Sequence, residues 1–197
     1  MVDLRFAVVR LSPTEDCPVD YCYLTEILDK YAPGQTQKRK FFGRERCFLD
    51  HEFYMAQALE LAQEAAAAGE VPVGCVIVVG GEIVGRGRNR REEKQEVFSH
   101  AEMEAITDAN HRLGSWRLEE ASLYVTLEPC PMCAGAILNA RSPKVFYGAR
   151  DEVMGACGGV LNLFMENFPV RPALVGGILA EDCRAVLREF FAGLRKD

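Results

Sequence analysis

A chain of 197 residues, 49% of them hydrophobic, has enough length and apolar content to bury one sizeable core with an appendage, and too little for two full domains. A net charge of −6 argues against a protein that coats nucleic acid indiscriminately, although a local basic patch on an acidic protein still binds phosphates. No apolar stretch, Val73 to Val79 included, approaches the roughly 18 to 20 residues of a membrane span.

The short apolar run from Phe6 to Leu11 follows Asp3 and Arg5 and leads to no small-residue cleavage site, so secretion is not expected. The eight cysteines are spaced irregularly, and two form a tight C-x-x-C after a proline. That pattern suits a reducing compartment better than a disulfide framework. These features predict a soluble, cytoplasmic protein with no membrane partner.

Residues 1–48 differ from the rest. They carry Cys17, Cys22 and Cys47, a Pro33-Gly34 turn, and the basic run Lys38-Arg39-Lys40 followed by Arg44 and Arg46. We expect an N-terminal extension over 1–48, basic near its end, and one domain over 49–197. From the boundary, Asp50 as N-cap opens a helix with Met55, Leu59, Ala62 and Ala66 at helical spacing, closed by Gly69. Val73 to Val79 and Glu82 to Arg86 flank Gly80-Gly81, which predicts a hairpin with a two-residue turn. A helix follows from about His100 to Leu113, a strand from Ser122 to Leu127, a helix from Pro131 to Ala140, and a strand from Lys144 to Tyr147. A short strand at Ala173 to Val175 and an amphipathic helix from Glu181 to about Leu194 complete the chain, the latter with Cys183, Val186, Leu187 and Phe190 on one face. A hairpin followed by alternating helices and strands implies an α/β fold: a three-layer α/β/α sandwich around a mixed sheet.

The strongest chemical signal is His100-Ala101-Glu102 followed by Pro129-Cys130-Pro131-Met132-Cys133. One imidazole and two thiolates make three protein ligands, and three ligands with an open fourth position distinguish catalytic zinc from a closed structural site. Each ligand group falls at a predicted helix start, where unpaired N–H groups and the helix dipole favour anionic sulfur. Pro131 suits the first helical turn because its missing N–H costs nothing there. Zinc lowers the pKa of a bound water to about 7. Glu102, two residues from His100, occupies the general acid/base position of the H-x-E and P-C-x-x-C signature of zinc deaminases of bases. Alone, the C-x-x-C fits equally a redox pair, half of a zinc ribbon or packing. Its combination with H-x-E favours His100, Cys130 and Cys133 as ligands of Zn2+ and Glu102 as the proton carrier. Cys75, Cys157 and Cys183 sit among apolar neighbours and read as core thiols. A second metal site of Cys17, Cys22 and Cys47 carries little weight, and His51 and His111 read as surface or capping histidines.

Longer strings extend the pattern: Glu70-Val71-Pro72-Val73-Gly74, Asn89-Arg90, Leu123-Tyr124-Val125-Thr126-Leu127-Glu128-Pro129-Cys130, Cys133-Ala134-Gly135-Ala136, Tyr147-Gly148-Ala149-Arg150-Asp151 and Gly176-Gly177-Ile178-Leu179-Ala180. Over about residues 50 to 195 the chain resembles the bacterial tRNA-specific adenosine deaminases, within the cytidine deaminase-like superfamily. The resemblance implies hydrolytic deamination of adenosine to inosine at the wobble position of a tRNA anticodon stem-loop, and a homodimer with the active site near its interface. It also implies that Asn89 contacts the target nucleoside, that Val73, Ala101 and Tyr147 line its pocket, and that Asp151 lies near the RNA backbone. For Val73 and Tyr147 simple core packing is the competing reading. The chain departs from the family at Glu96-Val97-Phe98-Ser99, where an Asp-Pro-Thr-Ala-like segment is usual, and at Glu152-Val153-Met154, which offers no positive charge. Residues 1–48 match nothing in the family. A solvated extension or a translation-start artefact accounts for them more simply than a tRNA-contacting segment built on Lys38 to Arg46. Two alternatives are weighed: a deaminase of a free nucleobase or nucleoside such as guanine or cytosine, and, more remotely, a non-catalytic zinc-stabilised module that binds RNA or protein. Retention of Glu102 speaks against the second, since a structural site has no use for a non-ligating acid.

Overall fold

The computed structural model describes residues 44–194, with side chains from residue 51 onward. The Pro33-Gly34 turn, the Lys38 basic run and the Cys17, Cys22 and Cys47 group lie outside the residues and side chains so described. Helix α1 spans Arg44–Ala67, beginning at Arg44 where Asp50 was the expected N-cap. Between Gly43 and Asp50 stand Arg44, Glu45, Arg46, Cys47, Phe48 and Leu49, which include good helix formers and no breaker. Gly69 closes the helix with φ +78°, as expected of a left-handed C-cap.

Strands β1 (Gly74–Val79) and β2 (Glu82–Arg88) form the expected antiparallel hairpin. Gly80 and Gly81 take φ +61° and +90°, the conformation that matches a two-residue turn to the twist of its strands. A bulge between Ile77 and Val78 shifts the register. Strand β3 (Ser122–Leu127) lies antiparallel to β1, β4 (Lys144–Ala149) parallel to β3, and β5 (Ala173–Gly176) parallel to β4. The sheet is mixed, in the order β2-β1-β3-β4-β5. Helix α2 (Arg91–Lys94) is a single turn that hydrophobic periodicity does not announce, and a 3-10 turn at Leu163–Met165 is likewise unanticipated. Helices α3 (Ala101–Leu113), α4 (Pro131–Asn139) and α5 (Ala180–Leu194) fall within a residue of their predicted places.

Because side chains alternate across a strand, each strand feeds two layers. Cys75, Ile77, Leu123, Val125 and Val145 pack with Ala101, Ala105 and Ala109 of α3 and Ala134 and Ile137 of α4. Val76, Val78, Tyr124 and Phe146 pack with Met55 and Ala58 of α1 and Cys183 of α5. These are the three layers of the α/β/α sandwich. Cys75, Cys157 and Cys183 are buried in these cores as expected. His51 departs from the surface role assigned to it. Its ring lies 4.4 Å from that of Phe146, and its Nδ1 is 2.9 Å from the Tyr124 hydroxyl, which itself belongs to a ring stacked on Phe146. The aromatic face of β3 and β4 draws it inward, a neighbourhood that its own helix does not reveal. On the other side of the sheet, Gly85 and Gly87 bring β2 against the backbone of α3: a Cβ at Gly87 would overlap the Ala101 carbonyl and the Ala105 amide nitrogen. This close approach sets how deeply α3 seats.

Between β4 and β5 the chain is pinned by Glu128, which follows β3 and is 2% exposed. Its Oε1 accepts the N–H groups of Cys157 at 2.9 Å and Gly159 at 2.7 Å, and its Oε2 accepts that of Asp151 at 3.2 Å. The Ala156 N–H donates to the Pro129 carbonyl at 2.8 Å, joining the same loop to the approach of α4. Withdrawing the carboxylate leaves these donors without their acceptor, and each buried orphan costs about 1–3 kcal/mol. Glu128→Ala is therefore expected to lower unfolding stability by about 3 kcal/mol, measured by urea denaturation, with faster hydrogen exchange at Cys157 and Gly159. A loss below about 1 kcal/mol with unchanged exchange would show that the loop does not depend on this carboxylate.

Candidate metal centre

Two helix starts bring together the three side chains that could hold a metal ion. His100 is the N-cap residue of α3, with φ −79° and ψ 157°, and Cys130 is the N-cap of α4, with φ −72° and ψ 171°. Pro131 occupies the first turn of α4, where no intrahelical N–H is lost. Cys133 lies in the same first turn, so the sulfurs of Cys130 and Cys133 share one helix end. Neither cap residue uses its side chain to satisfy the helix, which leaves all three free to turn toward one another. The entry to α3 is fixed by main-chain bonds: the His100 N–H donates to the Phe98 carbonyl at 2.8 Å, and the Arg90 N–H donates to the Ser99 carbonyl at 3.0 Å.

The Nδ1 of His100 stands 3.7 Å from the Cys130 sulfur and 3.6 Å from the Cys133 sulfur, and the three donor atoms all lie within 4.8 Å of one another. A tetrahedral ion bound to nitrogen at about 2.0 Å and sulfur at about 2.3 Å separates those donors by about 3.6 Å. The two nitrogen–sulfur separations therefore match those of such a metal. Among the described residues, this is the group of His, Cys, Asp and Glu side chains arranged to hold an ion; Glu102 is not among its donors.

The electrostatics of the metal-free chain follow from crowding three donors around a common point. A hydrogen bond from Cys133 holds the Cys130 thiol down to about 4, with His100 adding to the effect. The same bond, together with burial, pushes the Cys133 thiol up, and the Cys130 contact raises His100. Glu102, in the first turn of α3 and 4% exposed, is pushed up to about 7, chiefly by burial. Its carboxyl lies beside the three donors, and burial there disfavours its charged form.

The remaining sequence-predicted residues fall as follows. Asn89, at the end of β2, is buried, and its N–H donates to the Val73 carbonyl at 3.0 Å. Val73 and Tyr147 are half-buried and pack against the cluster shared by α3 and α4, in which Ala101 is wholly buried. Gly176 of β5 lies directly against the Tyr147 ring, where any Cβ would overlap it. Asp151 caps the turn that follows it: its Oδ1 accepts the N–H groups of Val153 at 2.9 Å and Met154 at 3.0 Å. Two acids that sequence reasoning assigned no role are buried, Glu128 described above and Glu70, which is 1% exposed. Their only signal is position, since each is a carboxylate where the chain turns between elements and dives into the core.

Comparisons with known proteins agree with this geometry. Residues 49–195 match the family described as MafB19-like deaminase. The chain is 49% identical over 146 residues to the tRNA-specific adenosine deaminase of Bacillus subtilis (strain 168), covering 74% of this chain and 91% of that protein. A solved structure from work on A-to-I editing by tRNA:A34 deaminases at the wobble position of transfer RNA superimposes with a TM-score of 0.67 at 38% identity, covering 68% of this chain and 99% of that one. The guanine deaminase of Nitrosomonas europaea shares the fold at 21% identity, with a TM-score of 0.64 over 81% of this chain and all of that one. The chain belongs to the deaminase family that includes the bacterial tRNA-specific adenosine deaminases.

Proposed function

We propose that this chain hydrolyses the exocyclic amine of adenosine at the wobble position of a tRNA anticodon stem-loop, with zinc held by His100, Cys130 and Cys133. The observation that carries the reading is the meeting of three donors with a buried, non-ligating Glu102 at the starts of two helices. The substrate rests on likeness to relatives named for tRNA adenosine deamination.

When bound, zinc supplies a Lewis acid that makes a water acidic enough to lose a proton near neutral pH. The chain's own groups do the rest. Glu102 takes that proton, and the oxygen bonds to the amine-bearing ring carbon. Glu102 then gives that proton to the ring nitrogen, takes the remaining proton of the added hydroxyl and passes it to the amine nitrogen as the carbon–nitrogen bond breaks, so that adenosine and water become inosine and ammonia. Burial supports this assignment by holding the Glu102 carboxyl up to about 7. In the same reading Asn89 addresses the base edge, while Val73, Ala101 and Tyr147 form the apolar wall that a flipped base requires.

The segment after β4 carries Val153, Met154, Val160, Leu161, Met165 and Phe168, all large, apolar and exposed. Such exposure in one segment supports burial against a second copy, in keeping with the homodimer that the family resemblance implies. No helix of the described residues is long and apolar enough to cross a membrane, and a cytoplasmic location belongs to the same proposal.

Three measurements follow. Glu102→Gln should keep about one zinc per chain by elemental analysis yet lose about 10²–10⁴-fold in turnover, whereas Cys133→Ala should lose the metal; wild-type rates in Glu102→Gln would exclude the proton shuttle. An anticodon stem-loop with adenosine at the wobble position, assayed beside free adenosine, cytidine and guanine, should alone yield inosine and ammonia. Ammonia from a free base alone would retain the chemistry and replace the substrate. Sedimentation should find a dimer that Met165→Glu shifts toward monomer; a monomeric wild-type protein would contradict the assembly.

A further inference from the structure

Glu70 follows the Gly69 C-cap of α1 and is 1% exposed. Its carboxylate meets three donors. Oε1 accepts the Glu93 N–H at 2.7 Å, and Oε2 accepts the Glu92 N–H at 3.2 Å and the Asn89 side-chain Nδ2 at 3.3 Å. The first two belong to the opening turn of α2. A carboxylate only accepts hydrogen bonds, so it dictates which way the Asn89 amide lies: Nδ2 toward Glu70, Oδ1 away. Main-chain bonds from Asn89 to Val73 and from Arg90 to Ser99, the residue before His100, tie the Asn89 backbone to a proposed pocket wall on one side and to the approach of the metal centre on the other.

We infer that Glu70 is a positioning residue for base recognition, which fixes the Asn89 amide so that its second N–H and its Oδ1 face the target base. One donor beside one acceptor is the pattern with which an asparagine amide reads the N7 and N6 edge of adenine. An amide free to flip presents the reverse order half of the time and meets N7 with an oxygen. The α2 backbone enters the same arrangement, since the carboxylate that orients Asn89 is itself located by the N–H groups of Glu92 and Glu93. The inference rests on the adenosine deaminase reading for its substrate and on the Glu70 contacts for its geometry.

The test compares stem-loops bearing adenosine or 7-deazaadenosine at the target position, in single-turnover reactions of the zinc-loaded enzyme. Wild type should favour adenosine by about tenfold, the worth of one hydrogen bond. Glu70→Gln, which has one acceptor oxygen where three donors need two and cannot hold Asn89 Nδ2 with a full carboxylate, should weaken that preference, and Asn89→Ala should abolish it. The double variant should be no worse than Asn89→Ala. A Glu70→Gln enzyme slowed equally on both substrates, with the preference intact, would reduce Glu70 to a structural role and overturn the inference, as would a wild type with no preference. If Glu70→Gln does not fold, Glu70→Asp carries the same comparison, because the shorter side chain withdraws the acceptor from Nδ2.

A readout independent of activity separates this inference from the substrate assignment. In the free protein the Asn89 side-chain amide protons should exchange slowly and give one pair of NMR signals that shifts and broadens in Glu70→Gln. Unchanged signals would overturn the positioning role even if tRNA is edited. Failure to edit tRNA alongside the predicted shift would overturn the substrate and retain the Glu70 to Asn89 geometry.

Discussion

Three donor atoms from two different helices have to meet within about 3.6 Å of one another, and most of the fold can be understood from that requirement. His100 and Cys130 are each the last extended residue before a helix, so the starting points of α3 and α4 set the site. Their positions depend on the sheet beneath. Parallel pairing of β3 with β4 and antiparallel pairing of β3 with β1 fix where β3 ends and α4 begins. Gly85 and Gly87 let α3 settle onto β2 until backbone meets backbone. A side chain at either glycine would lift α3 and carry His100 away from the sulfurs.

Among the described residues three acids lie at 4% exposure or less, Glu70, Glu102 and Glu128, and their surroundings differ. A buried carboxylate is expensive unless donors surround it. Glu70 and Glu128 each meet three N–H groups and so become anchors, one for Asn89 and α2, the other for the loop over 151–159. At Glu102 burial outweighs the hydrogen bonding that favours the charged form, and the carboxyl rises to about 7. The same side chain is thus held in place where donors are plentiful and is left readier to take a proton where they are scarce, as the proposed role of Glu102 requires.

Features governed by neighbours in the chain were legible before any coordinates. Gly80-Gly81 announced its turn because both positions require positive φ, and Gly69 announced a helix end for the same reason. The meeting of His100, Cys130 and Cys133 was readable because a metal site demands particular residue types at helix starts, and a proline beside a cysteine marks such a start. Features created by distant contacts were not. His51 looks like a surface residue of α1 until Tyr124 and Phe146 are placed under it. Helix α2 has no periodicity to detect, and its first N–H groups end on Glu70. The start of α1 at Arg44 shows that a good capping residue, Asp50, does not end a helix when the preceding residues are themselves helix formers.

The central claim is a metal held by one nitrogen and two sulfurs, with its fourth position left to a non-protein ligand. Zinc K-edge X-ray absorption on the purified holoprotein measures that ligand set directly. The account predicts two sulfurs at about 2.3 Å and two lighter atoms at about 2.0 Å, one of them from His100. A third sulfur, such as that of the buried Cys157, or a site with no bound zinc, would contradict it.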